Sequence, residues 1–267
     1  MRETVHRVFV VASERRHLRD SQATDDSPVS SPTEPVEYRD GVAHGRRDFE
    51  FEHELIDQKV TQLFSLVAEG VAGTTDALLA GDVASARALI SRDRQVDDLY
   101  RDIETIVQRR FAMQTPLAND LRYFLTVLRI VPELERSGDL VEHIAQRAAR
   151  NLGADLSPRL RGLLERMGGV TAEMWRTAAL AYASRDGHAV DRLRTRDDEL
   201  DSLHVSLMTD IATAGLPMTV AIDLVLVGRF YERLGDHAVN VSNRVHYLAF
   251  GSPAPPENPA NAPGESF

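Results

Sequence analysis

The stretch Glu135-Arg136-Ser137-Gly138-Asp139 decides the fold, because it occurs twice. It returns 97 residues further along the chain as Glu232-Arg233-Leu234-Gly235-Asp236, with four of its five residues unchanged. A second motif, Arg-Asp-x-x-x-Asp at residues 92–97, recurs 104 residues further on at 196–201. A repeat of this length indicates two domain-sized copies of one unit rather than a solenoid of short repeats. The sequence therefore predicts a tandem duplication.

The composition excludes several classes of function. The 267-residue chain has a formal net charge of −10, which disfavours nucleic-acid binding because neutralising phosphates requires a basic face. It has no cysteine, so any metal ligand must be an oxygen or an imidazole nitrogen. No uninterrupted apolar run approaches the ~20 residues that cross a bilayer, and the N-terminus lacks the pattern of a signal peptide. We therefore expect a cytoplasmic protein.

Apolar residues recur at helical spacing from about residue 51 onward, and no segment alternates as a strand does. We predict six long helices, which form an all-α protein of two up-down-up three-helix bundles. The first bundle is expected at residues 49–152 and the second at 153–250. Residues 1–48 and the tail 251–267, which has five prolines, have the composition of disordered segments.

The two motifs bring acidic side chains together in pairs. Asp93 and Asp97 share one face of a predicted helix because they are four residues apart, and Glu135 and Asp139 share a face of the next helix. Both pairs lie equally far from the predicted turn at Pro116, so an antiparallel hairpin places them at the same height. The second copy repeats this arrangement around its own turn with Asp197, Asp201, Glu232 and Asp236.

Four carboxylates at one seam between helices require a cation, because mutual repulsion and desolvation cost several kcal/mol for each buried charge. A bound metal is one solution, since carboxylates on facing helices hold metals in helical bundles. A salt-bridge network is the other, with Arg92, Arg136, Arg196 and Arg233 as its cations. Gly138 and Gly235 indicate that a ligand or a neighbouring helix approaches the backbone closely at each motif, because a glycine inside a helix costs ~1 kcal/mol relative to alanine.

Together with residues 115–122 (Thr-Pro-Leu-Ala-Asn-Asp-Leu-Arg), the doubled motifs resemble the PhoU family of phosphate-specific transport system accessory proteins. The resemblance covers about residues 50 to 250. It implies two three-helix bundles, each with a surface cluster of iron, zinc or a similar divalent or trivalent cation. Carried over by position, the ligands would be Asp93, Asp97, Glu135 and Asp139 in one bundle, and Asp197, Asp201, Glu232 and Asp236 in the other.

The resemblance also implies a function without a catalytic site. Such a protein is a cytoplasmic, homodimeric negative regulator of phosphate uptake and of the phosphate-starvation response. It would bridge the ATP-binding subunit of a phosphate ABC transporter and a sensor histidine kinase, and would reach the membrane only through these partners.

The first motif copy departs from the family pattern. The family usually continues the first Gly-Asp with His-Ala-x-Asn-Ile, where this chain has Leu140-Val141-Glu142-His143-Ile144. The second copy keeps the pattern as His237-Ala238-Val239-Asn240-Val241. We therefore expect the first bundle to bind metal more weakly, or with Glu142 or His143 as an added ligand.

Two other functions stay open. A carboxylate-bridged di-metal enzyme would ordinarily carry a Glu-x-x-His ligand pair or a nearby base. Neither motif copy has that spacing, because Glu142 and His143 are adjacent and Glu232 is five residues from His237. A histidine beside acidic residues is more often a hydrogen-bonded partner than a base. The third possibility is a purely structural helical bundle that serves in protein interaction.

Overall fold

The computed structural model describes residues 36–113, 118–153 and 156–256, with side chains from residue 52 onward. This described part contains helices and no strand, which confirms the predicted all-α class. Its helices are α1 (Val36–Ala80), α2 (Val83–Ile90), α3 (Asp93–Met113), α4 (Ala118–Ala148), α5 (Pro158–Ser184), α6 (Ala189–Thr213) and α7 (Met218–Phe250).

The chain divides by packing into the units Met1–Asp57 and Gln58–Phe267, and the second unit contains both motif copies. Helix α1 begins at Val36, upstream of the predicted start at residue 49. The bundle boundaries 49–152 and 153–250 and the disorder of 1–48 and 251–267 stay predictions. Residues 1–35 and 257–267 lie outside the described residues.

The helix predicted between Asp82 and the turn at Pro116 is two helices in the structure, α2 and α3. The described part therefore has seven helices rather than six. Asp82 caps α2, since its side chain accepts hydrogen bonds from the backbone N–H of Ser85 at 3.0 Å and from its hydroxyl at 2.6 Å. The helix ends where Ser91 Oγ donates to the carbonyl of Arg87 at 3.1 Å. The break makes Asp93 the first residue of α3, where the partial positive charge of a helix N-terminus favours a carboxylate.

Helices α4 and α7, which carry the two motif copies, pack against each other in opposite directions. Ser137 Oγ lies 3.0 Å from His237 Nδ1, while the rings of His143 and Phe230 are 5.4 Å apart between centroids. As residue numbers rise along α4, those of its partners on α7 fall. The two copies of the Glu-Arg-x-Gly-Asp motif therefore lie at the centre of the helix pair.

Helix α1 joins the first repeat to the second through a fully buried aromatic group. The ring of Phe64 lies 6.2 Å from that of Trp175 and 5.5 Å from that of Tyr182, both on α5. Further along α1, Thr75 Oγ1 and the hydroxyl of Tyr231 are hydrogen-bonded at 2.7 Å inside the protein. The two repeats thus share one core.

One segment of the described chain, Glu52–Ala80, is long and apolar enough by length and composition to cross a membrane. The expectation that no apolar run is long enough considered uninterrupted runs only. This segment is interrupted by polar residues, but its average hydropathy is high. Slightly more than half of its most apolar stretch is buried inside the protein. Such burial is typical of the core helix of a bundle, and the segment is weak evidence for a membrane span.

Candidate metal centres

The second acidic cluster, which consists of Asp197, Asp201, Glu232 and Asp236, lies between α6 and α7. Gly235 makes room for it. A Cβ atom at this position would lie 2.5 Å from Oδ1 of Asp197 and 2.7 Å from Cδ2 of Leu200. The predicted close approach at Gly235 is therefore made by helix α6, which rests a carboxylate directly against the backbone of α7.

The second cluster holds more negative charge than its surroundings neutralise. Burial, followed by the charges of Asp201, Asp236 and Glu232, raises the pKa of Asp197 to about 7. Burial, followed by the charge of Asp236, also raises the pKa values of Asp201 and Glu232. Oε2 of Glu232 is buried and has no hydrogen-bond partner among the described atoms. Such an oxygen is costly unless a proton or a cation satisfies it.

The first acidic cluster, which consists of Asp93, Asp97, Glu135 and Asp139, lies between α3 and α4. Burial raises the pKa of Asp93 to about 6, and among neighbouring charges Glu142 raises it most. Burial also raises the pKa values of Glu135 and Asp139.

Glu142 and His143, which follow the first Gly-Asp, act on the first cluster. His143 opposes the rise that burial causes in the pKa of Asp139, and Glu142 lines a cleft together with Arg92 and Asp93. The two hairpins also differ at their glycines, because a Cβ at Gly138 would meet Cγ1 of Val96 at 3.0 Å and no carboxylate. All four carboxylates of the first cluster are half-buried, whereas Asp201 and Asp236 of the second cluster are exposed.

The arginines of the predicted salt-bridge network form no ion pair with the eight cluster carboxylates in the described part of the chain, although the charge of Arg136 opposes the rise in the pKa of Glu135. Arg92 pairs with Glu69 at 3.3 Å, Arg136 with Glu133 at 2.8 Å, and Arg196 with Glu173 at 2.9 Å and Glu199 at 2.8 Å, all outside the clusters. Arg233 has no ion pair with any acidic side chain of the described residues. Long arginine side chains reach acidic groups on the outer faces of the helices, where their charge stays hydrated.

A different arginine pairs with each cluster. Arg101 binds Asp97 at 3.1 Å, and Arg229 binds Oε1 of Glu232. The sequence contained a signal for both, since Arg101 follows Asp97 by four residues and Arg229 precedes Glu232 by three. A comparison of the two copies does not mark these arginines, because neither recurs in the other copy. The counterpart of Arg101 is Val205, and that of Arg229 is Pro132. Each cluster thus has one ion-paired arginine against four carboxylates.

The sequence alone does not reveal the direction of the His237 side chain. Its Nδ1 lies 3.0 Å from Ser137 Oγ, and its Nε2 lies 3.9 Å from Oε2 of Glu133, so the imidazole is directed towards α4 and away from the second cluster. The ring is buried and hydrogen-bonded between the repeats. This agrees with the expectation of a hydrogen-bonded partner rather than a base.

Both clusters offer oxygen donors that bind metals, but these donors do not converge on a common point in this structure. In the described part of the chain, no three histidine, aspartate or glutamate side chains converge closely enough to hold a metal ion. The donors are nevertheless all carboxylate oxygens, which suit hard and borderline cations. The unsatisfied Oε2 of Glu232 and the raised pKa of Asp197 fit a cation at the second cluster.

These features define a class of protein, namely a duplicated helical bundle with one acidic cluster in each hairpin. The sequence model of the PhoU domain matches residues 60–148 and 164–245, and these two segments contain all eight carboxylates. The chain belongs to the PhoU family. The predicted resemblance is therefore confirmed.

Individual relatives agree with this assignment. The chain is 29% identical over 221 residues to the phosphate-specific transport system accessory protein PhoU homolog of Rhizobium meliloti, a match that covers 81% of this chain and 93% of the relative. It is 30% identical over 200 residues to PhoU homolog 2 of Mycobacterium tuberculosis, with 74% and 94% covered. The crystal structure of PhoU from Pseudomonas aeruginosa matches with a TM-score of 0.72 and 26% identity, covering 76% of this chain and all of that one.

Proposed function

We propose that this protein is a regulatory accessory protein of phosphate-specific transport that acts by binding and not by catalysis. The observation that carries the proposal is the presence of the PhoU domain twice, over most of the folded chain. Relatives in two organisms are named as accessory proteins of this transport system. The buried position of His237 also disfavours a di-metal enzyme, because its ring is not available as a base at the second cluster.

In this proposal the protein is a cytoplasmic negative regulator. It restrains phosphate uptake and the starvation response when phosphate is plentiful, and its partners are the ATP-binding subunit of the phosphate transporter and a sensor histidine kinase. It acts as a homodimer. The net charge of −10 supports protein partners over nucleic acid.

The proposal includes a metal cluster of iron, zinc or a similar cation in each hairpin. Asp197, Asp201, Glu232 and Asp236 would hold it in the second repeat, and Asp93, Asp97, Glu135 and Asp139 in the first, with Glu142 or His143 as an added ligand. A bound cation would neutralise the charge that burial and repulsion now make costly.

The regulatory role is tested by deleting the gene in its native host and measuring a phosphate-starvation reporter at high phosphate. We expect the reporter to be switched on in the deletion strain and to be silenced again by the wild-type chain. A reporter that stays silent in the deletion strain contradicts the proposed function. Elemental analysis of purified wild type beside Asp236→Ala tests the metal separately, and an equal metal content in both proteins contradicts the assignment of that site.

A further inference from the structure

The hairpin of α6 and α7 exposes an apolar surface that the described residues do not cover. Met218, Ile222 and Val225 are 74%, 52% and 40% exposed, and their spacing of four and three residues places them on one face of α7. Val205 of α6 is 64% exposed. These four account for nearly half of the nine large apolar side chains exposed in the described part, so the exposure is concentrated here.

The same face of α7 continues into the second acidic cluster. The spacing of Met218, Ile222 and Val225 carries on through Arg229 to Glu232 and Asp236. At a rise of ~1.5 Å per residue, Met218 and Glu232 are about 21 Å apart along the helix. We call the surface formed by Val205, Met218, Ile222, Val225 and the second cluster the hairpin face. It is apolar near the turn and acidic at its other end.

We propose that the hairpin face docks an amphipathic helix of a partner protein. The apolar side chains of that helix would cover Met218, Ile222 and Val225, and lysine or arginine residues at one end would meet the second cluster. This inference rests on the proposed function, because it states where the regulator holds a partner. Amphipathic helices bind hydrophobic surfaces through residues spaced like these three.

Charge complementarity selects this occupant. When no metal is bound, four carboxylates at the acidic end face one paired arginine, Arg229, so the metal-free face attracts a cationic segment. A membrane would present anionic headgroups to the same carboxylates, which is unfavourable. A second copy joined through the same face would give the second cluster no cationic partner, because both copies present the same carboxylates.

The first repeat does not offer an equivalent face. The counterparts of Met218, Ile222 and Val225 are Leu121, Leu125 and Leu128, of which Leu121 is 39% exposed and the other two are partly buried. The counterpart of Val205 is Arg101, which binds Asp97 at 3.1 Å and Asp98 at 2.9 Å. The inference is therefore specific to the second repeat, and the first repeat supplies a matched control.

The test uses the full chain in chelator, so that the second cluster carries its own charge, and fluorescently labelled helical peptides as probes. Each peptide has leucines at positions i, i+4 and i+7 with three lysines at one end, and two versions place the lysines at either end. A control peptide replaces the lysines by glutamates. Fluorescence anisotropy measures the affinity of each peptide for wild type, for the double variant Met218→Ser with Ile222→Ser, and for Leu121→Ser.

We expect at least one lysine peptide to bind with a Kd on the order of micromolar, and the glutamate peptide to bind at least about tenfold more weakly. The double variant should weaken lysine-peptide binding by about tenfold or more, because it removes the apolar contacts, while Leu121→Ser changes it less than about twofold. Trp175 fluorescence checks that each variant is folded, since this tryptophan is fully buried. No binding by either lysine peptide, or equal losses in both variants, overturns the proposal.

Two further measurements separate the occupants and the two proposals. Loss of self-association in the double variant, measured by light scattering, would assign the face to a second copy. Loss of binding to phosphatidylserine vesicles would assign it to a membrane, and either result overturns the inference. If the double variant represses the reporter as wild type does, the docking proposal alone is contradicted. If the reporter stays silent in the deletion strain, the proposed function is contradicted and the peptide result still stands.

Discussion

Ser137 Oγ lies 3.0 Å from Nδ1 of His237, and this contact joins the two copies of the repeated motif across the α4–α7 seam. The serine hydroxyl also lies 2.6 Å from the carbonyl of Glu133, to which it donates, so the imidazole donates to the serine through Nδ1. By position in the repeat, the counterparts of His237 and Ser137 are Leu140 and Leu234, which cannot form such a bond. The contact therefore belongs to this seam alone.

His237→Ala should destabilise the protein by about 2 kcal/mol, because it removes a buried hydrogen bond and leaves a cavity. Denaturant unfolding followed by Trp175 fluorescence measures the change, since this is the single tryptophan of the chain. His188→Ala is the control, because His188 is exposed and lies outside this seam. Equal losses in both variants would show that the seam contact adds nothing specific.

Gly235→Ala should destabilise the protein by about 1–3 kcal/mol, although alanine is the better helix former. The new methyl group would lie 2.5 Å from Oδ1 of Asp197, which must move and disturb the second cluster. Its metal content should fall with its stability. Gly162→Ala is the control in α5, where no atom lies within 4 Å of the added carbon, so we expect a gain of up to ~1 kcal/mol. A stabilised Gly235→Ala with unchanged metal content would contradict this account.

Asp197→Asn should become more stable relative to the metal-free wild type as the pH rises from about 4 to 8. The pKa of Asp197 is raised from 3.8 to about 7 in the folded protein, so its folded state binds the proton more tightly than the unfolded state. Stability from this group is therefore full below the unfolded pKa and is lost as the pH rises through the folded pKa. Chemical denaturation across this pH range in chelator measures the difference between the two proteins.

The control for this pH dependence is Glu165→Gln, which changes an exposed carboxylate on α5. We expect its stability relative to wild type to stay constant within about 0.5 kcal/mol over the same range. A flat difference for Asp197→Asn as well would mean that the second cluster does not strain the fold.

Chelator should lower the melting temperature of the metal-loaded protein, because removing the cation leaves the carboxylates of the second cluster to repel one another. Replacing Asp201 and Asp236 together by Asn should reduce that loss. Differential scanning calorimetry of both proteins, with and without chelator, measures the two effects. If chelator leaves the melting temperature unchanged and the double variant is markedly less stable than wild type, the cluster is a salt-bridge network and not a metal site.

The sequence predicted the fold class and the hairpin geometry because both depend on regular spacing. Residues at equal distances from the turn at Pro116 or at Leu216-Pro217 meet whenever an antiparallel hairpin forms, so Asp197 and Asp236 could be paired without coordinates. The break between α2 and α3 could not be predicted in this way, because no glycine or proline marks it between Ile90 and Asp93. Residues 114–117, which include the turn at Pro116, lie outside the described residues, and the turn itself stays a prediction.

The environment of each cluster was harder to predict than its members. Arginine side chains are long, and several carboxylates lie within reach of each one, so motif membership did not identify the partner of Arg196. The direction of His237 depends on how the two repeats pack, and a repeat in sequence carries no information on that packing. The contact between Phe64 and Trp175 was hidden for the same reason.

The core shared by α1, α5 and α7 restricts how this duplicated chain can evolve. A second repeat on its own would lose the contacts of Trp175 and Tyr182 with Phe64 and the hydrogen bond of Tyr231 with Thr75, and would be less stable for it. Loss of one copy therefore carries a cost in stability for the other. The two copies can specialise by changing their sequences while both are kept. That divergence is visible where the first copy has Leu140, Glu142 and His143 and the second has His237, Val239 and Asn240.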